Sequence, residues 1–413
     1  MPEGPLYEPD IQTLPREQLL AVQEERLRDS VARAFEIPFW RRKMESAGLG
    51  PDDVKTREDL LRVPRTNKDE LRASQAEHPP FGDYMRREEA VRVGTTTGTT
   101  GTPSLILWTK RDLETEHRAA ARMYWRQGVR PGLLVAHSHP LGAYGGGAMM
   151  SSSLEAFGCT VLAVGSPATD EHAEQIVKLF DLVRPDMYIM FDAALLRLWE
   201  AAERLGLDPQ KDLKMRMRAP HPSMQGGTAS AGAECFAYMG GACAKFNGAH
   251  LCEDLAVVEC VDPISGHPVP EGQRGHLVVT TLERDNMMLR YDLEDLVTLD
   301  SSLCECGETS ARLTWQGRAK DVTRVGNLSL LPIDVWWVLE DFPTLKMPTI
   351  EFVIVRSKSD DMLHVRVEGE GVSQDEIKQR LTEKLGIPAK VEVLPRGALG
   401  RSGFKPVRVV DEP

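Results

Sequence analysis

The sequence lacks the features of a secreted, membrane-spanning or nucleic-acid-binding protein. No uninterrupted apolar run reaches the length of a membrane span, and the N-terminal stretch MPEGPLYEPD has no basic region followed by an apolar one. We therefore expect no secretory signal, no membrane association and a cytoplasmic location. A formal net charge of -12 argues against a surface built for nucleic acid. The seven cysteines are an odd, loosely spaced set in 413 residues, which favours reduced thiols or a metal site over a disulfide framework.

Two segments of different character predict the domain organisation. Between about residues 90 and 300, strand-like runs such as LLVAHS, CTVLAV and DMYIMF alternate with segments of helical periodicity. This alternation predicts an α/β fold with mostly parallel sheets and flanking helices. After about residue 317, IEFVIVRS and MLHVRVEG alternate apolar and polar side chains as half-buried strands do, and a capping box opens the helix SQDEIKQRLTEKL. We predict a large domain, 1–317, and a small α+β domain, 318–413.

The stretch VGTTTGTTGTPS, residues 93–104, is rich in glycine and threonine and carries no charge. Glycines allow backbone N–H groups to converge, and threonine hydroxyls add donors, so the composition suits a phosphate. The run is not a Walker A loop, because no Gly-Lys-Ser/Thr ends it. On composition alone, a flexible surface connector is an equal alternative.

Four segments in order along the chain resemble the acyl-adenylate-forming enzymes, the superfamily of acyl-CoA ligases and peptide-synthetase adenylation domains. TGTTGTP at 97–103 is similar to their phosphate-binding loop, and RYDLED at 290–295 to their ribose-binding segment. GRAKD at 317–321 resembles the hinge between the domains, and RSGFK at 401–405 the loop of the catalytic lysine. Within the superfamily, stretches such as CVDPISGHPVPEGQRGHLVVTTLERDNMMLRY resemble the phenylacetate-CoA ligase branch over nearly the whole chain.

The resemblance implies roles for individual residues. Lys405 is the implied catalytic lysine, which bridges the acid's carboxylate and an α-phosphate oxygen, and Lys320 is the implied hinge residue. Tyr144 takes an aromatic position in a loop that lines the acid pocket of relatives, although a core tyrosine is equally consistent with the sequence. The residues implied to bind ATP or AMP are Thr96, Thr97, Gly98, Thr99, Thr100, Gly101, Asp295 and Arg318.

The sequence departs from the superfamily between the phosphate loop and the ribose segment. It lacks the Tyr-Gly-x-x-Glu motif, whose aromatic ring packs on adenine and whose glutamate helps to hold magnesium. Glu234 and Tyr238 are the candidates for these two roles. The GAE at 232–234 is also consistent with an earlier family segment, so both assignments remain open.

Three cysteines and one histidine are candidates for a structural metal site. Cys243, His250, Cys304 and Cys306 supply a Cys₃His set suited to tetrahedral Zn²⁺, with no position left open for water. Some members of the branch have a similar arrangement, EC…GLH…CxCG, where this chain has AC…GAH…CECG. Four unrelated side chains are the alternative, because cysteine is often a buried apolar residue.

Taken together, the resemblance implies an enzyme that activates an aromatic or arylacetic acid. ATP and Mg²⁺ convert the acid to an acyl-adenylate, and CoA then captures the acyl group as a thioester after the small, mobile domain rotates about Lys320. A carrier-protein thiol, an amine or a cofactor hydroxyl is the alternative acceptor. A nucleotide-binding homologue whose catalysis has lapsed is a further alternative. The expected partners are the carboxylic acid, ATP and CoA, and a homodimer is left open.

Overall fold

The computed structural model describes residues 4–96, 104–213, 230–245, 247–346, 348–356, 361–401 and 406–412. The chain forms two compact units. The first contains Met1–Leu133, Gly142–Thr160 and Gly227–Gln316; the second contains Leu134–Leu141, Val161–Gly226 and Gly317–Pro413. The predicted boundary between domains 1–317 and 318–413 stays a prediction.

The helices and strands follow one another along the chain in mixed order. The α-helices among the described residues are Pro9–Gln12, Arg16–Phe35, Pro38–Ser46, Arg57–Leu60, Lys68–Glu77, Lys110–Arg126, Gly145–Phe157, Asp170–Val183, Asp192–Arg204, Pro332–Leu339 and Gln374–Leu385. The strands are β1 Ala90–Thr95, β2 Leu105–Thr109, β3 Leu134–His137, β4 Thr160–Ala163, β5 Met187–Ile189, β6 Ser230–Ala233, β7 Phe236–Ala242, β8 Ala249–Leu251, β9 Ala256–Val261, β10 Gly275–Thr281, β11 Tyr291–Asp300, β12 Arg312–Arg318, β13 Thr323–Val325, β14 Leu328–Leu330, β15 Phe352–Arg356, β16 Leu363–Glu368, β17 Ala389–Leu394 and β18 Val409–Asp411. Across these described ranges, no helix combines the length and the apolar character needed to cross a membrane.

The sheets confirm the predicted α/β class and refine its topology. A seven-stranded sheet has the order β6-β7-β8-β12-β11-β10-β9, and each strand pair whose register is described in it is antiparallel. In the three-stranded sheet β4-β3-β5, β3 and β5 are parallel. The expectation of mostly parallel sheets is therefore wrong for the largest sheet. Apart from β8 and β12, its neighbouring strands are consecutive in the chain, and strands joined by a hairpin connection pair antiparallel.

The C-terminal segment shows how local sequence sets the second unit's structure. The predicted helix SQDEIKQRLTEKL is confirmed at Gln374–Leu385, where the Ser373 side chain accepts a hydrogen bond from the Glu376 backbone and Gly386 ends the helix at φ 69°. The helix buries Ile377 and Leu381 against the sheet β17-β16-β15-β18. A separate core of the same unit surrounds the helices Asp170–Val183 and Asp192–Arg204.

Candidate active site and metal site

The glycine- and threonine-rich stretch connects the antiparallel strands β1 and β2. At its base, the Thr96 backbone N–H donates to the Ser104 carbonyl at 3.0 Å, and the Ser104 N–H donates to Thr96 Oγ1 at 3.3 Å. Both residues are buried, so the two ends of the loop are fixed in the first unit. Thr97, Gly98, Thr99, Thr100 and Gly101 lie outside the described residues.

Glu234 occupies the turn between β6 and β7. The hairpin is tight, because a Cβ atom on Gly232 would lie 2.2 Å from the Ala237 carbonyl oxygen. The Glu234 carboxylate accepts a hydrogen bond from the Tyr291 hydroxyl and lies 2.8 Å from Lys68 Nζ. Its side chain is 22% exposed, so it is partly accessible to solvent.

Lys68 is a residue that the sequence analysis missed. It begins the helix Lys68–Glu77, which Asn67 caps by accepting from the Glu70 backbone N–H. The preceding residue, Thr66, donates its N–H to the Arg290 carbonyl at 3.0 Å and accepts from Asp292 at 2.8 Å. These backbone contacts hold the start of the helix beside the ribose-like segment, which places the ammonium group at Glu234. The stretch TNKDE gives a helix N-terminus but no sign of this partner.

Three tyrosines share the surroundings of Glu234. Burial raises the pKa of Tyr84, Tyr144 and Tyr291, and the negative charge of Glu234 raises each of them further. The hydroxyls therefore stay protonated at neutral pH. Tyr144 precedes the helix Gly145–Phe157, and its ring packs over Gly146, where a Cβ atom would lie 2.5 Å from it. Aromatic surface and one carboxylate thus occur together in the first unit.

Tyr238 lies away from this surface, in the core. Its side chain is 4% exposed, and its hydroxyl bonds to Tyr124 at 3.0 Å and to Ser153 at 2.7 Å. This environment is typical of a core tyrosine whose hydroxyl is satisfied. The predicted contact of Tyr238 with adenine stays a prediction.

The ribose-like segment forms a bulge at the start of β11. His276 on β10 pairs with Leu296 on β11, but Val278 pairs with Asp292. The stretch of β11 that contains Asp295 therefore has more residues than the facing stretch of β10. Asp295 is buried at 8% exposure. Bulges of this kind re-aim side chains, and the predicted contact of Asp295 with the ribose stays a prediction.

Arg290, in the same segment, is a structural clamp. Its guanidinium forms a buried ion pair with Glu259 at 2.9 Å and donates to the carbonyls of Leu61, Val63 and Gly266. Burial raises the pKa of Glu259, and the arginine opposes that shift. One side chain therefore ties the ribose-like segment to two loops far from it in sequence.

The hinge-like residues belong to the second unit. Arg318 ends β12, and Lys320 lies in the short 3₁₀ turn that follows it, Ala319–Asp321; Gly317, at φ 139°, directly precedes Arg318. The Lys320 carbonyl accepts a hydrogen bond of 2.6 Å from Arg356. Lys405, the predicted catalytic lysine, lies outside the described residues.

The Cys₃His set comes together in the first unit. The ligand atoms of Cys243, His250, Cys304 and Cys306 all lie within 4.8 Å of one another. Cys243 Sγ lies 3.8 Å from Cys304 Sγ, and Cys306 Sγ lies 3.3 Å from His250 Nε2. Two sulfurs about 2.3 Å from one tetrahedral Zn²⁺ lie about 3.8 Å apart, so these spacings fit a four-coordinate cation. His250 Nδ1 contacts Ser310 Oγ at 3.2 Å, which directs Nε2 towards the thiols.

The fold and the order of these segments define an acyl-adenylate-forming enzyme, and comparison with known proteins supports this class. The chain is 32% identical to phenylacetate-coenzyme A ligase of Thermus thermophilus over 98% of its length and 99% of the relative's. It is 29% identical to phenylacetate-coenzyme A ligase of Aromatoleum evansii, over 97% and 96% of the two chains. No model of a known protein family matches.

A solved structure of 2-hydroxyisobutyryl-CoA ligase in the postadenylation state, in complex with 2-HIB-AMP, superposes with a TM-score of 0.86. It shares 26% identity with this chain and covers 100% of it and 94% of its own length. The protein belongs to the phenylacetate-CoA ligase family. It is an AMP-forming acid–CoA ligase that uses ATP and CoA and works through an acyl-adenylate.

Proposed function

We propose that this ligase activates an aromatic or arylacetic acid and delivers it to CoA. The observation that carries the choice of acid is the similarity to phenylacetate-CoA ligases over nearly the whole of both chains. The ring of the partly buried Tyr144 adds an aromatic surface on which the ring of the acid can stack. The charge of the partly exposed Glu234 acts on this tyrosine. The name 2-hydroxyisobutyryl-CoA ligase, given to the related structure, makes a small hydroxy acid the competing substrate class.

The adenylation step requires two anions to meet. The acid's carboxylate attacks the α-phosphorus of ATP, the bond to pyrophosphate breaks, and acyl-AMP results. Lys405 bridges the carboxylate and an α-phosphate oxygen, which offsets the negative charge that builds up at phosphorus. Thr96 and the glycine- and threonine-rich loop hold the phosphates, while Asp295 and Arg318 hold the ribose.

Glu234 is the residue that would hold magnesium. Carboxylate oxygens are the ligands that Mg²⁺ prefers, and this carboxylate is partly exposed, with a fixed orientation set by Tyr291 and Lys68. Magnesium supplies charge neutralisation for the departing pyrophosphate. The Lys68 ammonium adds a second positive charge at the same place.

Thioester formation follows a change of conformation. The small domain, 318–413, rotates about Lys320, which withdraws Lys405 and admits the thiol of CoA. Gly317 has φ 139°, a conformation that residues with a Cβ rarely adopt. The backbone just before the hinge therefore requires a glycine. CoA sulfur then attacks the acyl carbon, and AMP leaves.

The Cys₃His cluster would hold a structural zinc. Its four protein ligands leave no open position, which distinguishes it from a catalytic zinc. The odd, loosely spaced set of seven cysteines favours a reducing compartment, and we place the protein in the cytoplasm. A homodimer stays open.

The test is acid-dependent exchange of labelled pyrophosphate into ATP, without a thiol, across phenylacetate, benzoate and 2-hydroxyisobutyrate. Exchange with the aromatic acids, followed by thioester formation when CoA is added, is the expected result. Exchange only with 2-hydroxyisobutyrate would overturn the choice of acid. Acyl-AMP that accumulates in the presence of CoA would indicate a carrier protein, an amine or a hydroxyl as the acceptor.

A further inference from the structure

Arg401 stands four residues before Lys405 in the sequence and is held on both sides by carboxylates. Its guanidinium donates to Glu200 at 2.6 and 3.3 Å, and to both oxygens of Glu368 at 3.0 Å. The side chains of Arg401 and Glu368 are 11% and 5% exposed, and that of Glu200 is 19% exposed. Charge-assisted bonds that are shielded from water in this way are among the stronger polar contacts in proteins.

The two carboxylates have different tasks. Glu368 also accepts hydrogen bonds of 2.8 Å from the backbones of Gly397 and Leu399, so it shapes the turn that leads to Arg401. Burial alone would raise the pKa of Glu368, but the bonds from Arg401 and from this backbone lower it below its usual value. Glu368 is therefore charged at neutral pH and belongs to the local structure of the C-terminal segment.

Glu200 belongs to a different part of the chain, the helix Asp192–Arg204. Arg197, Glu200 and Glu203 follow one another at intervals of three residues, which places them on one face of this helix. Glu200 contacts Arg401, Glu203 lies 3.0 Å from Arg396, and Arg197 donates to the Arg401 carbonyl at 3.3 Å. This face of the helix therefore contacts the segment 396–401, which leads into the lysine loop.

We propose that Glu200 and Arg401 form a positioning contact that serves the adenylation step alone. The inference rests on the proposed function, in which Lys405 works only before the small domain rotates about Lys320. Both residues lie in the second compact unit, but the helix that carries Glu200 precedes that hinge in the chain, whereas Arg401 follows it. The contact holds the start of the lysine loop in place for adenylation and breaks when the domain turns.

The deciding experiment measures the two half-reactions of Glu200→Gln separately. Adenylation is followed by acid-dependent pyrophosphate exchange, and thioester formation is followed from supplied acyl-AMP and CoA. We expect exchange to fall roughly 10- to 100-fold, the usual effect of losing a shielded charge-assisted bond, and thioester formation to stay the same or to quicken. Glu200→Asp, which keeps the charge, should recover part of the exchange rate.

The variant suits the test because Arg401 keeps Glu368 as a partner, so no buried charge is left alone. Glu174→Gln is the matched control, since Glu174 pairs with Arg204 at 3.0 Å on the neighbouring helix and does not meet Arg401. Neither half-reaction should change in this control. If Glu200→Gln does not fold, as judged by thermal unfolding, Glu203→Gln tests the same face through Arg396.

Equal losses in both half-reactions, or no loss in either, would overturn the positioning role. Failure of the proposed function gives a different result, because wild-type protein that still binds ATP would then show no exchange with any acid. That outcome would remove the inference together with the function on which it rests.

Discussion

The Nζ atom of Lys68 lies 2.8 Å from Oε2 of Glu234, although the two residues are 166 positions apart in the sequence. The hydroxyl of Tyr291 donates to the other oxygen of the same carboxylate. A carboxylate held in this way keeps one orientation and already faces a positive charge. If Glu234 holds magnesium, as proposed, that cation and the Lys68 ammonium would together supply positive charge for a phosphate group.

Glu234→Gln removes the charge and keeps the size of the side chain. We expect the Mg²⁺ concentration that gives half-maximal pyrophosphate exchange to rise about tenfold, because carboxylates bind this hard cation better than amides do. Titration of exchange with MgCl₂ measures the change. Tyr291→Phe is the control, since it removes a hydrogen bond to the carboxylate without removing the charge. An unaltered magnesium requirement in Glu234→Gln would count against the assignment.

Lys405→Ala should separate the two half-reactions. Without the lysine, the charge that builds up during adenylation is not offset, and we expect exchange to fall about 100- to 1,000-fold. Thioester formation from supplied acyl-AMP should change little. Lys390→Ala is the control, because Lys390 is a largely exposed lysine of the same segment, paired with Glu392 at 3.4 Å. Comparable losses in both steps would rule out the bridging role.

How much the sequence could predict depends on the range of the interactions. The helix Gln374–Leu385 and its caps follow from neighbouring residues, and the Cys₃His grouping follows from ligand chemistry, so both could be read in advance. The Lys68–Glu234 pair depends on a backbone link through Thr66, and no local pattern encodes such a link. The antiparallel pairing of the seven-stranded sheet was missed for the same reason. Strand propensity shows that a strand exists and does not show its direction.

Arg290→Met should destabilise the protein strongly. The change leaves Glu259 as a buried charge without its partner and removes bonds to three loop carbonyls. We expect a loss of about 3–5 kcal/mol in the free energy of unfolding, measured with urea. Arg62→Met, at an exposed arginine whose side chain donates to the Asp53 carbonyl at 3.4 Å, should cost less than about 0.5 kcal/mol. Similar losses in the two variants would show that Arg290 is not the clamp described above.

Purified protein should contain about one zinc per chain, held by the Cys₃His cluster. The cluster joins the turn after β7 to the loop after β11, so a cation there adds to the β8–β12 pairing and the Lys245–Glu305 ion pair that already link these segments. Cys304→Ser should abolish the bound zinc, as measured by elemental analysis, and should lower the thermal midpoint by several degrees. Cys260→Ala should retain the metal, because Cys260 contacts the Val297 carbonyl and is not one of the four.

Zinc retained at full content in Cys304→Ser would place the metal elsewhere. A protein that holds no zinc at all, yet unfolds at the same temperature with and without a chelator, would show that the four side chains stabilise the fold only as a buried cluster.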